Sequence, residues 1–371
     1  VLDDGPRALV RSAVEAAFAS VDAGAERKDV SEAFLATLGF GGSQIGNSSA
    51  VLAEEAGVVG IPVTRVENAC ASGGFALRSA VGALAARASP LVLVVGVEKM
   101  TDVSNARRRY WLGVSGDTEW ERLAGLTFAG VYGLIASRYF TEHGDASEAL
   151  AEVAVKNHDN GALNPNAHFQ KRITRAEVRS APLVADPLGL YDCCPVSDGA
   201  VALLLSAPEI AHKFTDAPVY VDGLGAGTDP LAVQERAKLT SFRATQRAAH
   251  EAFRSAGWNR SDISFLEVHD CFTIAELLAL EDLGFAGPGE AAALTLSGET
   301  RRDGRLPVNP DGGLKSKGHP IGATGVSQAY EIFLQLRGEA GSRQVSHAGH
   351  ALAHNVGGAG ATAAVTLFSV G

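Results

Sequence analysis

Cys70 stands in Asn68-Ala69-Cys70-Ala71-Ser72-Gly73-Gly74, where an extended run gives way to an Ala-rich helical pattern. A thiol at a helix N-terminus meets free backbone N–H groups and the positive end of the helix dipole, and both favour the thiolate. The pattern therefore predicts a nucleophile with a lowered pKa, approached closely by substrate across the glycines. The plainer alternative is a small buried hydrophobe, the usual fate of a free cysteine. His319 lies in Gly318-His319-Pro320-Ile321-Gly322-Ala323-Thr324-Gly325. Pro320 stiffens the backbone beside an imidazole flanked by small residues, the rigid and accessible placement a general base needs. Alone, such a loop histidine is more simply satisfied by a carbonyl. Beside Cys70 it becomes the natural activating base.

A second thiol occurs at a second predicted helix start, in Val268-His269-Asp270-Cys271-Phe272. Cys271 reads either as core packing or as a group that takes and gives a proton. His269 can donate to a thioester oxygen on which enolate charge develops. His354 opens His354-Asn355-Val356-Gly357-Gly358-Ala359-Gly360, whose glycines can bring backbone N–H groups up to an oxyanion. A metal cluster of His347, His350 and His354 is disfavoured, because glycines break any helix there and no Cys or carboxylate joins them. The adjacent Cys193 and Cys194 read as buried structural thiols. Ser197-Asp198-Gly199 reads as a turn entering a strand.

These residues need a scaffold, and the periodicity supplies one. Residues 8–21 have the apolar spacing of a surface helix. An extended run over 66–71, a buried helix over 75–86 and a continuously apolar strand over 91–97 make a βαβ unit, its last strand covered on both faces. Residues 103–185 mix polar and aromatic residues, and read as short helices and loops inserted over one end of a sheet. Strand character returns at 200–206. In the C-terminal part, a strand over 264–268 leads to a helix over 274–283. The Gly-rich loop 309–325 feeds a helix over 326–337, and 354–360 leads into a closing strand over 361–368. Two βαβ-rich halves, each with a Cys at a strand-to-helix junction, suggest a duplicated α/β architecture without any residue-level repeat.

Composition narrows the class. With 371 residues, 46% of them hydrophobic, the chain exceeds one ordinary core and predicts two or three packed units. The net charge is −10, and the only basic run is Arg107-Arg108-Arg109, which argues against nucleic acid as a partner. That run is a candidate for meeting an anionic cofactor, though a solvated loop is the simpler reading. No stretch approaches the roughly 20 apolar residues of a membrane span. Four sparse cysteines read as reduced thiols in a cytoplasmic setting. The first residue is Val, with no leader pattern after it, so a short N-terminal piece is expected to precede this numbering.

Taken together, these segments resemble the thiolase superfamily from about residue 8 to 368. They are most similar to the sterol-carrier-protein-type thiolases, in which His-Asp-Cys-Phe replaces the family's Asn-Glu-Ala-Phe. The most specific stretches are the Cys70 turn, 268–273, 309–325 and 354–360. The resemblance implies a layered α/β/α/β/α fold of two halves, 1–102 with 186–215 and then 216–371, carrying an inserted loop domain at 103–185. It implies that Cys70 is acylated and that His319 activates it. Most thiolases carry a second catalytic cysteine in the final Gly-rich motif. Here His354 is read at that place, and proton transfer moves to Cys271. His269 and His319 would hold the oxygen of the second thioester, and the backbone N–H groups of Cys70 and Val356 that of the acyl-enzyme.

The implied reaction is thiolysis of a 3-ketoacyl-CoA, or the reverse Claisen condensation. Coenzyme A thioesters are the substrates, with no permanently bound cofactor and no metal. The 103–185 region is expected to cover coenzyme A. A homodimer or dimer of dimers is expected, and some relatives use a small accessory protein. The chain ends without a fused sterol-carrier domain or a peroxisomal Ser-Lys-Leu, so a free-standing cytoplasmic enzyme of bacterial type is expected. The rivals are a ketosynthase-like condensing enzyme, a thiolase-fold retro-aldolase, and a non-catalytic scaffold. The intact Cys70, Cys271 and His319 argue against the last.

Overall fold

The computed structural model describes residues 4–86 and 90–371. The first part holds helix α1 (Pro6–Ala19), strand β1 (Glu32–Ala36), α2 (Ser48–Ala56), β2 (Val63–Val66), α3 (Ser72–Ala85) and β3 (Leu91–Glu98). Next come α4 (Asn105–Gly113), α5 (Phe128–His143), α6 (Ser147–Gly161), α7 (Arg175–Ser180), the short pair β4 (Leu183–Ala185) and β5 (Leu188–Gly189), and then β6 (Gly199–Ser206). The last part runs β7 (Val219–Thr228), α8 (Arg243–Ala256), β8 (Phe265–Glu267), α9 (Thr273–Asp282), α10 (Ala291–Leu296), α11 (Gly313–Ser316), α12 (Thr324–Leu336), β9 (His350–Gly357) and β10 (Thr362–Val370).

Two four-stranded sheets form, in the orders β2-β1-β3-β6 and β7-β10-β9-β8. In each, a parallel pair is followed by an antiparallel return: β1–β3–β6 in the first and β8–β9–β10 in the second. A helix of the central layer precedes the middle strand in both cases, α3 before β3 and α12 before β9. The two halves therefore share a common three-stranded topology, and differ in whether the fourth strand joins beyond the parallel pair (β2) or beyond the return strand (β7). This is the duplication that the sequence pattern suggested.

The burial of each strand explains the layering. Every residue of β3 is buried, because its two faces meet different helices. Leu93, Val95 and Val97 pack with Leu9, Val10 and Val14 of α1 and Leu52 of α2. Val92 and Val94 pack with Ala76, Leu77 and Ala80 of α3 and Val326, Ala329 and Ile332 of α12. Ala351, Ala353 and Phe368 of the second sheet close over the same central helices. On the far face of that sheet, Leu352, Val365 and Leu367 meet Ala248 and Ala252 of α8 and Leu277 of α9. The order is thus helix, sheet, helix, sheet, helix. No helix of the described residues is long and apolar enough to cross a membrane.

The 103–185 region differs from the sequence expectation of short helices. α5 spans 16 residues and α6 spans 15. Their mixed polarity hid them, because α6 is buried along most of its length and carries its own polar partners inward. Lys156 Nζ lies 3.0 Å from Glu276 Oε1 and donates to Val308 O at 2.8 Å, while Asn157 Nδ2 donates to Asp270 Oδ2 at 2.7 Å. A helix buried on nearly all sides lacks the polar face that amphipathic spacing reports.

Candidate active site

β2 ends at Val66, and the chain then turns sharply to present Cys70. Ala69 adopts the left-handed conformation with φ 50°, which costs a non-glycine residue roughly 1–2 kcal/mol. Hydrogen bonds hold it there: Ala71 N donates to Asn68 O at 3.0 Å, and Ser72 Oγ donates to Ala69 O at 2.6 Å. The following glycines permit a helix crossing. A Cβ on Gly73 would stand 2.7 Å from Val326 N, so the N-terminal ends of α3 and α12 touch through this position. The expectation of a lowered Cys70 pKa is corrected. Burial foremost, then the nearby Cys194 and Glu98, push the thiol well up, against a weaker pull from its own backbone N–H. Cys70 is a thiol at rest and needs a base.

His319 supplies a lone pair. Its Nδ1 lies 2.7 Å from Thr324 Oγ1, and that hydroxyl donates its one hydrogen to Pro320 O at 3.2 Å. With the hydroxyl hydrogen on Pro320 O, Thr324 accepts from Nδ1–H, and the Nε2 of neutral His319 is left with its lone pair. Burial, with Lys317 adding to it, lowers the His319 pKa to about 3. The loop itself is anchored from below: Glu98, at the end of β3, accepts from Leu38 N at 2.8 Å, Phe40 N at 2.7 Å and Gly322 N at 3.2 Å.

The His269–Cys271 turn is fixed on both sides. Val268 N donates to Asn309 Oδ1 at 2.8 Å, and the Asp270 carboxylate accepts from Leu314 N at 2.7 Å and Lys315 N at 3.2 Å. Cys194 N donates to Cys271 O at 3.0 Å, so the Cys193-Cys194 segment backs this turn. Burial pushes the Cys271 thiol well up, while Tyr132 draws it down and the nearby Cys70 raises it. Tyr132 comes from α5 and stacks on Phe272, with centroids 4.4 Å apart.

The three elements converge. Cys70 Sγ and one ring nitrogen each of His269 and His319 all lie within 4.8 Å of one another. Cys271 lies near enough for the Cys70 charge to raise its pKa. His347, His350 and His354 do not form a cluster of their own: His350 packs edge-on against Trp258, and His354 Nε2 lies 2.9 Å from Thr245 Oγ1. Of the basic run, Arg107 donates to Gly42 O, and Arg108 to Met100 O, Thr101 O and Val103 O, so both brace loops around the site.

Residues 3–209 match the family model for the thiolase N-terminal domain, and residues 225–370 match the thiolase C-terminal domain-like model. The chain belongs to the thiolase family. It is 45% identical over 349 residues to an acetyl-CoA acetyltransferase of Methanothermobacter thermautotrophicus, covering 94% of this chain and 91% of that one. Human sterol carrier protein 2 is 35% identical over 344 residues, covering 90% of this chain and 62% of that longer protein. Among solved structures, the Ltp2-ChsH2(DUF35) aldolase aligns with a TM-score of 0.86 at 25% identity, covering 99% of this chain and 93% of that one. Human mitochondrial 3-ketoacyl-CoA thiolase aligns with a TM-score of 0.75 at 16% identity over 99% of this chain and 93% of its own, a likeness of fold. This thiolase is an acyltransferase of the thiolase type.

One placement in the thiolase differs from the sequence reading. His354 lies within β9, not in a Gly-rich loop, and strand alternation turns it toward α8 with Leu352 and Val356. The next residue, Asn355, faces the nucleophile turn and bonds Cys70 O at 2.9 Å. Val356 stands opposite Ala363 of β10. Asn355, Thr324, Glu98 and Tyr132 were all missed. Thr324 and Asn355 stand within the motifs yet give no signal of their own, and Tyr132 lies in the stretch that reads as short helices and loops.

Proposed function

We propose that this thiolase moves an acyl group between coenzyme A thioesters through a thioester on Cys70. His319 Nε2 removes the Cys70 proton as sulfur attacks the acyl carbonyl, and coenzyme A leaves as its thiol. The backbone N–H groups of Cys70 and Val356 take the oxygen of that acyl group. In condensation, Cys271 as its thiolate removes an α-proton from a second thioester while His269 donates to its oxygen and His319 meets that oxygen through water. The carbanion attacks the acyl carbon, the Cys70 C–S bond breaks, and the proton passes from Cys271 to the released Cys70 sulfur. Thiolysis runs the same steps backward. The observation that carries this reading is the convergence of Cys70, His269 and His319 within 4.8 Å, at a site whose charge also acts on Cys271. Charge develops on two different oxygens in Claisen chemistry, and these groups supply separate donors for each.

The test is chemical. Incubation with a short acyl-CoA adds one acyl mass to Cys70, and Cys70→Ala removes both adduct and turnover. A label on Cys193 or Cys194 instead would overturn the assignment.

The same proposal includes the organisation expected above: halves 1–102 with 186–215 and 216–371, and an inserted unit at 103–185 covering coenzyme A. The contact of Tyr132 with Phe272 supports that cover, as do the exposed Tyr110, Trp120 and Leu123. A homodimer is supported by β6, an edge strand with Val201, Leu203, Leu204 and Leu205 only half-buried. Sedimentation at graded concentration tests it. The accessory-protein expectation is supported by the aldolase neighbour, described as Ltp2-ChsH2(DUF35). Four unpaired cysteines suit a cytoplasmic setting.

A further inference from the structure

Asn355 touches both halves of the site through one amide. Its Oδ1 accepts from Gly74 N at 3.0 Å, and its Nδ2 donates to Cys70 O at 2.9 Å. Both partners are backbone groups of fixed polarity, so the amide fits only one way round. Reversed, it would set donor against donor and acceptor against acceptor. The same Nδ2 lies 3.4 Å from His269 Nδ1. A ring nitrogen that meets an amide donor must offer its lone pair, so the proton of neutral His269 resides on Nε2. The ring is neutral because burial foremost, then the neighbouring His319, His354 and Lys317, hold its pKa well below the usual value. Nε2 is buried and has no hydrogen-bond partner among the described residues.

We infer that Asn355 is a positioning residue that selects the Nε2–H tautomer of His269, so that a donor rather than a lone pair faces the thioester oxygen as enolate charge develops. This rests on the thiolase reading of the site. It also gives the two imidazoles opposite tasks. His319 faces a hydroxyl acceptor in Thr324 and keeps its Nε2 lone pair for the Cys70 proton. His269 faces an amide donor in Asn355 and keeps a hydrogen on Nε2. With the other tautomer, two lone pairs would surround the developing anion.

The direct test is the ¹⁵N spectrum of the histidine-labelled wild-type enzyme, with His269 assigned by its loss in His269→Gln. The expected pattern is a protonated Nε2 and an unprotonated Nδ1. A proton on Nδ1 overturns the inference, and this measurement needs no Asn355 variant to fold. The second arm is Asn355→Asp, which keeps the size but turns the Nδ2 donor into an acceptor and draws the His269 proton to Nδ1. Thiolysis is expected to fall roughly 10²–10³-fold, as when one oxyanion donor is removed, and acylation of Cys70, which loses only the Nδ2 bond to Cys70 O, is expected to fall less. Part of the loss should return as pH falls, because an imidazolium carries both protons. The titratable and charged groups around that ring are Cys70, His319 and Lys317, with His354 behind it on β9, and the new carboxylate favours the imidazolium further. An unchanged thiolysis rate, or a loss equal at every pH, overturns the inference. Failure of wild-type Cys70 to accept an acyl group would instead sink the thiolase reading, and the tautomer result would stand apart from it.

Discussion

His269 and His319 meet edge to face, with ring centroids 5.1 Å apart and planes at 87°. Two cationic rings at this distance would repel, and burial holds both neutral. Neutral imidazoles act by which nitrogen carries the proton, so the neighbours of each ring matter as much as the rings themselves.

Thr324→Val removes the acceptor that fixes His319 and leaves side-chain volume nearly unchanged. Acylation of Cys70, followed by mass spectrometry after rapid mixing with acyl-CoA, should slow by roughly 10²-fold, the lower end of what general-base catalysis contributes. Thr324→Ser should restore most of it. Wild-type acylation by the Val variant would show that Thr324 does not orient the base.

Cys271→Ala should separate the two half-reactions. Acylation of Cys70 stays largely intact, and thiolysis falls ~10²–10⁴-fold with loss of the α-carbon acid/base group. A decarboxylating ketosynthase needs no such group, so wild-type turnover of malonyl-CoA is measured in parallel. Full thiolysis by the variant, or robust decarboxylative condensation by the wild type, would favour the ketosynthase alternative.

Glu98→Gln keeps shape but turns one acceptor oxygen into a donor, set either against Phe40 N–H or against Leu38 N–H and Gly322 N–H. Each buried group left unsatisfied costs roughly 1–3 kcal/mol, so the urea midpoint should fall clearly. Because Gly322 belongs to the His319 loop, acylation should slow as well. A variant as stable as wild type would mean that these bonds are replaced elsewhere.

Stability should depend on pH through His354, whose pKa burial lowers from 6.5 to about 3. Between those values the unfolded chain binds a proton that the folded chain refuses. The folded state therefore keeps its full contribution above pH 6.5 and loses it as pH falls through that window. Asp282 acts in the opposite sense, since burial raises its pKa to about 6 and favours the folded state at lower pH. Comparing unfolding midpoints of wild type and His354→Gln cancels that background. The variant should show a shallower decline on acidification, and parallel curves would refute the assignment.

Much of this enzyme was legible in its sequence because the signals were local. The continuous apolar run of β3 announces a strand covered on both faces, and β3 is buried throughout. The Cys70 and Cys271 motifs each mark a strand, turn and helix junction and the His319 motif a loop before a helix, and the structure brings Cys70, His269 and His319 together. β8 and α9 fall within a residue or two of the spans that periodicity predicts.

What the sequence by itself determined, then, is the set of reactive residues, the elements that carry them and the repeated α/β grammar. Tertiary structure decided their chemical state. The Cys70 thiol is pushed up rather than down, because desolvation by distant segments outweighs the backbone N–H at its own turn. His354 turns away from the nucleophile and Asn355 toward it because strand parity sends neighbours to opposite faces, and only the position of α8 says which face is which. The amide that joins Gly74 to Asn355 spans 281 residues of chain. Hydrogen-bond partners that far apart leave no periodicity in the sequence, so the tautomers of His269 and His319 are properties of the assembled fold.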